Sequence, residues 1–291
     1  MNSAATPSIA VGVAGWSYPD WKGYVYTGRV PDPLRFVAGY LDMVEVNSTF
    51  YRLPDARTTE SWVQRTADVP GFFFTAKLHQ DVTHRGVIEA GMVRAFREGV
   101  APLASAGRLR HLLAQFKYDF ADTSATRGHL QRVRDAFGDV AHLTLELRHC
   151  SWQAPDALEF CRGLDVTVAA LDYPLAGNSF SLRETGVGPD AYLRLHGRNA
   201  KAWFDKGAGR DQTYNYLYSP KEVDEIYKRA VDIARMSKSL TLVANNHYQG
   251  KEMVNAIQLR ARALGRKVDA PPGLADHYPD LRADVVATTL L

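Results

Sequence analysis

The 291-residue chain is poor in cysteine: it has two, Cys150 and Cys161. Two thiols in a chain of this size build no disulfide framework and show no zinc spacing, so free thiols in a reducing compartment are expected. Long apolar runs are missing as well. None approaches the roughly 20 residues that a helical membrane span needs. The stretch from Met1 to Ser8 lacks a basic segment followed by an apolar core, so it does not read as a signal peptide, and a cytoplasmic location is expected. Excess charge of one sign is absent: the net charge of +3 and pI of 8.8 permit an anionic ligand without demanding nucleic acid. The sequence holds no P-loop, no G-x-G-x-x-G, no G-x-S-x-G and no H-E-x-x-H, which removes the commonest nucleotide, serine-hydrolase and zinc-protease readings. No segment is long or biased enough to link two domains.

What is present is a repeated pattern. Apolar strands are read at 9–14, 43–51, 72–79, 109–116, 143–149, 166–172, 192–196 and 240–245. Helical spacing falls between them, over 34–41, 61–66, 88–103, 125–137, 155–161, 223–234 and 252–264. Asp32-Pro33 reads as a cap followed by a first helical residue. Ser219-Pro220-Lys221-Glu222 reads as a capping box with proline at N1. The stretch 175–190 has no helical period, so the sixth connection is expected to be irregular. Eight strands alternating with helices over 9–264, with a tail from 265 to 291, predict a single α/β domain spanning 1–291, a (β/α)8 TIM barrel. The competing doubly wound sheet would gather its polar residues at one switch point. Here polar residues close nearly every strand.

The strand at 143–149 sets the phase. Leu143, Leu145 and Leu147 face the helices, so Glu146 and Arg148 face inward. The same logic places Glu45, Asn47, Lys77, Gln115, Asp172, Arg194 and His196 inside, near the C-terminal ends. Asn245 and His247 are expected to join them, with Asn246 competing for that phase. Active sites of this fold lie at that face. An ion-pair network (Glu45 with Lys77; Glu146 and Asp172 with Arg148 and Arg194) would account for single members. The whole set exceeds what packing needs, because buried pairs contribute weakly to stability. No metal ligand set is assigned, because cations already neutralise the acids; no cofactor is expected, and a divalent metal stays open. Schiff-base chemistry at Lys77 is set aside on the expectation that carboxylates keep the amine charged. Glu146 and Asp172 on adjacent strands could serve as a glycosidase pair, with the aromatic loop at Trp16 stacking on a sugar. Arg198, Lys201, Lys206 and Arg210 interleave with Trp203, Tyr214, Tyr216 and Tyr218, a pattern that suits phosphates and bases or, equally, tyrosines packed on the rim. His84 reads as a loop-bracing histidine.

Taken together, Gly15-Trp16-Ser17-Tyr18, the run Val44 to Tyr51, Val82-Thr83-His84, Glu146-Leu147-Arg148-His149-Cys150-Ser151-Trp152, Leu171-Asp172-Tyr173-Pro174, Arg194-Leu195-His196-Gly197-Arg198 and Asn245-Asn246-His247-Tyr248-Gln249-Gly250 resemble the YecE-like family, a domain of unknown function. The resemblance runs from about Val11 to the final helix and implies a TIM barrel. Family members have been likened to the barrel of endonuclease IV, which implies DNA or phosphodiester binding by analogy. Lys117 departs from the family's pattern, where proline is expected.

The expectation is therefore a hydrolase-like enzyme acting on an anionic, phosphate-bearing substrate, with nucleic acid among the candidates. Glu45, Lys77, Glu146, Asp172 and His196 would be catalytic. Trp16, Asn47, Gln115, Arg148, Arg194, Arg198, Asn245 and His247 would bind substrate. A non-catalytic nucleic-acid or nucleotide-binding module and the glycosidase-like pair are the alternatives. No membrane and no obligate protein partner are expected.

Overall fold

The computed structural model describes residues 8–183 and 185–286. Nine parallel strands make one sheet: β1 (Ser8–Val13), β2 (Met43–Val46), β3 (Phe73–Lys77), β4 (Leu109–Gln115), β5 (His142–Glu146), β6 (Thr167–Val168), β7 (Ala170–Asp172), β8 (Asp190–Leu195) and β9 (Ser239–Ala244). Their order is β6-β5-β4-β3-β2-β1-β9-β8-β7. The two ends of that order, β6 and β7, are separated in the chain only by Ala169. β6 pairs with β5, with Thr144 opposite Thr167, and β7 pairs with β8, with Asp172 opposite Leu195. They are two halves of one stave, so the sheet closes into a TIM barrel of eight staves, as the alternating pattern predicts.

The broken stave has a local cause. The chain returning toward β8 inserts against β6: the Val168 amide donates to the Val187 carbonyl at 3.3 Å, and Thr167 Oγ1 donates to Asp190 O at 2.7 Å. Gly188 permits this approach. Its φ is +100°, and a Cβ there would lie 2.1 Å from Thr167 Oγ1. Among the described residues between Asp172 and Asp190 there is no helix or strand, in keeping with the expected irregular connection.

The longer helices are α1 (Pro33–Ala38), α2 (Ala56–Arg65), α3 (Ala90–Ser105), α4 (Ser124–Phe137), α5 (Pro155–Gly163), α6 (Pro220–Arg235) and α7 (Lys251–Leu264). Asp32 caps α1 by accepting from the Arg35 amide at 3.0 Å. Both bonds of the Ser219/Glu222 capping box form at α6. One apolar layer fills the space between staves and helices. A second, smaller one sits inside the barrel: Ala14, Met43, Phe73, Ala169, Leu171, Tyr173, Tyr192 and Val243.

Two boundaries differ from the sequence reading. The strand expected over 43–51 stops at Val46, and Ser48–Tyr51 is a helical turn. Thr49 forces that turn by donating to the Lys77 carbonyl at 2.7 Å. The tail after Gly265, which the sequence reading left unassigned, is structured as far as Val286. It forms short turns at Leu274–His277 and Pro279–Ala283, and Tyr278 donates to the Gln249 carbonyl at 2.7 Å.

Candidate active site

Inward-facing positions of β2, β5 and β8 bring Glu45, Glu146 and Arg194 together at the C-terminal mouth, all essentially without solvent exposure. The Arg194 guanidinium stands between the acids. Its Nε donates to Glu45 Oε2 at 3.0 Å and its Nη2 to Glu45 Oε1 at 2.6 Å, while Nη1 donates to Glu146 Oε2. Tyr192 adds a donor to Glu45 Oε2 at 2.9 Å. Arg148, two residues beyond Glu146, donates from Nε to Glu146 Oε1 at 2.8 Å. Burial pushes the Glu146 carboxyl up, but Arg194 and Arg148 more than reverse this and hold it well below the usual carboxylate range. Burial pulls the Arg194 guanidinium down, and the two carboxylates more than restore its charge.

His196 lies beside this core. Asn245 Nδ2 lies 3.0 Å from the ring Nδ1, and the ring Nε2 lies 3.3 Å from both Glu146 Oε1 and Arg194 Nη1. Burial pushes the ring down to about 4, so His196 is neutral at physiological pH. Asn245 thus points into the barrel. Asn246 points away and donates to Tyr216 O and Asn255 Oδ1, both at 2.8 Å.

Two cations are incompletely used. Arg148 Nη2 is 2.6 Å from Glu146 Oε1 but at an angle that makes no hydrogen bond, and it is buried. Lys77 makes no ion pair or side-chain hydrogen bond among the described residues. Its Nζ lies 4.4 Å from the centre of the Phe50 ring. Burial, with Arg194 as the strongest repulsion, pushes Lys77 down to about 7. The expected Glu45–Lys77 pair is therefore not formed. Guanidinium forks match carboxylates in two-point geometry, and Arg194 reaches across the barrel to take Glu45. The expectation that acids would keep Lys77 charged fails for the same reason.

Asp172 is a second correction. β7 turns Leu171 and Tyr173 inward and Asp172 outward. Asp172 accepts from Arg198 Nε at 2.9 Å, Arg198 Nη2 at 2.8 Å and Tyr218 Oη at 2.8 Å, with Arg229 Nη1 3.9 Å away. Arg198 also donates to Glu222 Oε1 at 3.0 Å. Asp172 and Arg198 thus tie the loop after β8 to the outside of the barrel. Asp172 forms no pair with Glu146, Arg148 or Arg194, and the glycosidase-like pair of Glu146 with Asp172 does not exist.

That loop covers the mouth. Trp203 lies 5.5 Å from the Arg148 guanidinium and 5.8 Å from the His196 ring, and Tyr214 lies 5.3 Å from the His247 ring. Tyr216 and Tyr218 turn back onto Glu222 and Asp172. Tyr216 and Tyr218 therefore pack on the rim and are not free as stacking platforms, whereas Tyr214 turns over the mouth. Trp203, Tyr214 and Tyr192 carry no sequence signal of their inward direction. His84 is closer to the site than a bracing role requires: its ring packs on Phe50 at 4.9 Å, the same ring that Lys77 covers.

The remaining expected residues lie on the flank. Gln115 is in register with Glu146 on the neighbouring strand. Asn47 donates to the Ala14 carbonyl at 2.9 Å. Together with Trp16, Tyr18, Tyr51 and Arg210 it lines a cleft of about 260 Å³ beside the charged core. His247 stacks on Tyr18 at 4.7 Å, and neither ring nitrogen has a hydrogen-bond partner. Among the described residues no three His, Cys, Asp or Glu side chains converge as a metal-binding group.

A parallel barrel with buried, cross-braced charge at its C-terminal mouth is the class that fold and site define. The chain belongs to the family described as Protein of unknown function DUF72, whose profile matches residues 10–277. This is the family to which the YecE-like motifs pointed, and the match extends past Gly265 into the tail. The chain is 26% identical to the UPF0759 protein YunF of Bacillus subtilis over 269 residues, 86% of this chain and 93% of that one. A DUF72 family protein from Thermotoga maritima has a solved structure with a TM-score of 0.75 at 30% identity, covering 89% of this chain and all of that one. One from Enterococcus faecalis has a TM-score of 0.77 at 26% identity, covering 90% and 98%.

Proposed function

We propose that the barrel mouth is the active site of an enzyme acting on a small anionic, phosphate-bearing substrate. The observation that carries this reading is Arg148 Nη2, buried and in ion-pair contact with Glu146 Oε1 but making no hydrogen bond, while Arg194 bonds both acids. A buried unsatisfied donor costs about 1–3 kcal/mol, and a bound oxyanion would relieve it. Charge supports the same reading. Two carboxylates balance Arg194 and Arg148, and the protonated fraction of Lys77 adds net positive charge to the mouth. Glu45 and Glu146 then brace the site. Lys77, titrating at about 7, and neutral His196 are the groups suited to exchange a proton with the substrate or an attacking water. The cover of Trp203 and Tyr214 favours a small molecule over a polymer.

The test is calorimetric titration with inorganic phosphate, followed by turnover assays on phosphomonoesters and phosphodiesters with and without divalent metal. Wild type should bind phosphate, and Arg148→Met should lose at least tenfold in affinity. Equal binding by both proteins would remove Arg148, and with it this reading.

A further inference from the structure

We propose that Lys77 is a covalent nucleophile that forms an imine with a small aldehyde or ketone bearing an anionic group. The inference rests on the anion-binding reading for the choice of carbonyl compound but not for the reactivity of the amine. Nucleophilic lysines need an amine that is uncharged, unpaired and reachable. The geometry supplies the last two, and burial beside the arginines favours the first. Lys77 ends β3 on the inward phase, at the mouth, and is partly exposed. Its Nζ rests on the Phe50 face and makes no ion pair among the described residues. The acids that would pair with it, Glu45 and Glu146, are both held by Arg194.

The groups that act on the amine come from several elements. Arg194 on β8 and Arg148 after β5 repel a proton there, while Glu45 on β2 and Glu146 on β5 attract one. His84 and Lys117 lie on the same side of the mouth. Burial and the arginines outweigh the acids, so about half of the amine is free base at neutral pH.

The step balances without a co-reactant. The Nζ lone pair attacks the carbonyl carbon, forming a C–N bond as the carbonyl π pair moves to oxygen. One nitrogen proton passes to that oxygen. The carbinolamine then loses its hydroxyl with a second proton as water, and the C=N bond forms. His84, neutral and packed on Phe50, is placed to carry a proton during dehydration. Arg148 would hold the carboxylate or phosphate of the substrate.

The full-length protein is incubated with pyruvate, glyceraldehyde 3-phosphate or uncharged glyceraldehyde in the presence of sodium cyanoborohydride. Adducts are located by intact mass and peptide mapping. The expected result is a single adduct on Lys77, forming at least tenfold faster than on any other lysine, with a rate that rises through pH 7. It should be absent in Lys77→Arg, a variant checked for native circular dichroism. Faster labelling by the anionic compounds than by glyceraldehyde, lost in Arg148→Met, supports both readings. Selective labelling that ignores the anionic group keeps the nucleophile and removes the anion reading. Phosphate binding with labelling spread evenly over surface lysines overturns the nucleophile and leaves the anion reading standing.

Discussion

Arg194 grips Glu45 through two parallel hydrogen bonds, Nε to Oε2 at 3.0 Å and Nη2 to Oε1 at 2.6 Å, in a part of the barrel that water does not reach. Replacing Arg194 by methionine keeps much of the volume but leaves the buried Glu45 carboxylate without a cation, with Tyr192 as its remaining donor, and Glu146 with Arg148 alone. The expected loss is about 3–5 kcal/mol of stability, read from urea unfolding. Arg194→Lys should recover little of it, because an ammonium cannot reproduce the fork. A methionine variant that unfolds at the wild-type midpoint would show that the acids have other partners.

Tyr192 supports the same carboxylate from below, with its hydroxyl 2.9 Å from both Glu45 Oε2 and Thr75 Oγ1. Tyr192→Phe removes a neutral donor to a charged acceptor and should cost about 1.5–3 kcal/mol. Thermal unfolding of the single variant measures it, and an unchanged midpoint would count against the bond.

Asp172 and Arg198 belong to the outer wall. Asp172→Asn weakens the anchor of the loop after β8 and should lower the unfolding midpoint, yet leave the affinity for phosphate within about twofold. A large loss of affinity with an unchanged midpoint would place Asp172 in the site after all.

Acid should destabilise the fold earlier than carboxylates alone would. His196 and His247 are pushed down to about 4 and His111 to about 3, mainly by burial, against an ordinary value near 6.5. Between pH 6.5 and 4 the unfolded chain therefore binds more protons than the folded one, and stability rises with pH. Each fully shifted histidine contributes a slope of up to about 1.4 kcal/mol per pH unit in that window. Urea midpoints at pH 7.5, 6.5, 5.5 and 4.5 test this. The expected curve falls below pH 6.5 and still rises above pH 7, where Lys77, pushed from its ordinary 10.5 down to about 7, adds its own slope of the same sign; a curve flat down to pH 5 would contradict the histidine part.

The barrel was legible because its periodicity is strong: Leu143, Thr144, Leu145, Glu146 and Leu147 alternate without exception, and the caps at Asp32 and Ser219 mark where helices start. The inward set followed wherever alternation was clean. Asp172 was misplaced because Val166 to Leu171 is almost entirely apolar, so either phase fits, and the break at Ala169 leaves no unbroken ladder to count along. The partner of Glu45 was missed because Arg194 reaches it across the barrel, and sequence spacing describes neighbours along a strand or between adjacent ones. The cover was unreadable because the loop after β8 has no period. Trp203 and Tyr214 point inward for reasons of packing that lie in other parts of the chain.

The position of Trp203 gives the site its own optical reporter. Its indole sits between the Arg148 guanidinium and the imidazole of His196, so its emission is set by the local field of the groups that would meet a ligand. An anion settling on Arg148 cancels a positive charge 5.5 Å from that ring, and opening of the loop hands the indole to water. The two events move the emission differently from one another. Trp203 is one of five tryptophans, so in the difference between wild type and Trp203→Phe, which removes the signal of the other four, occupancy of the mouth and movement of its cover can be followed in solution without attaching a dye.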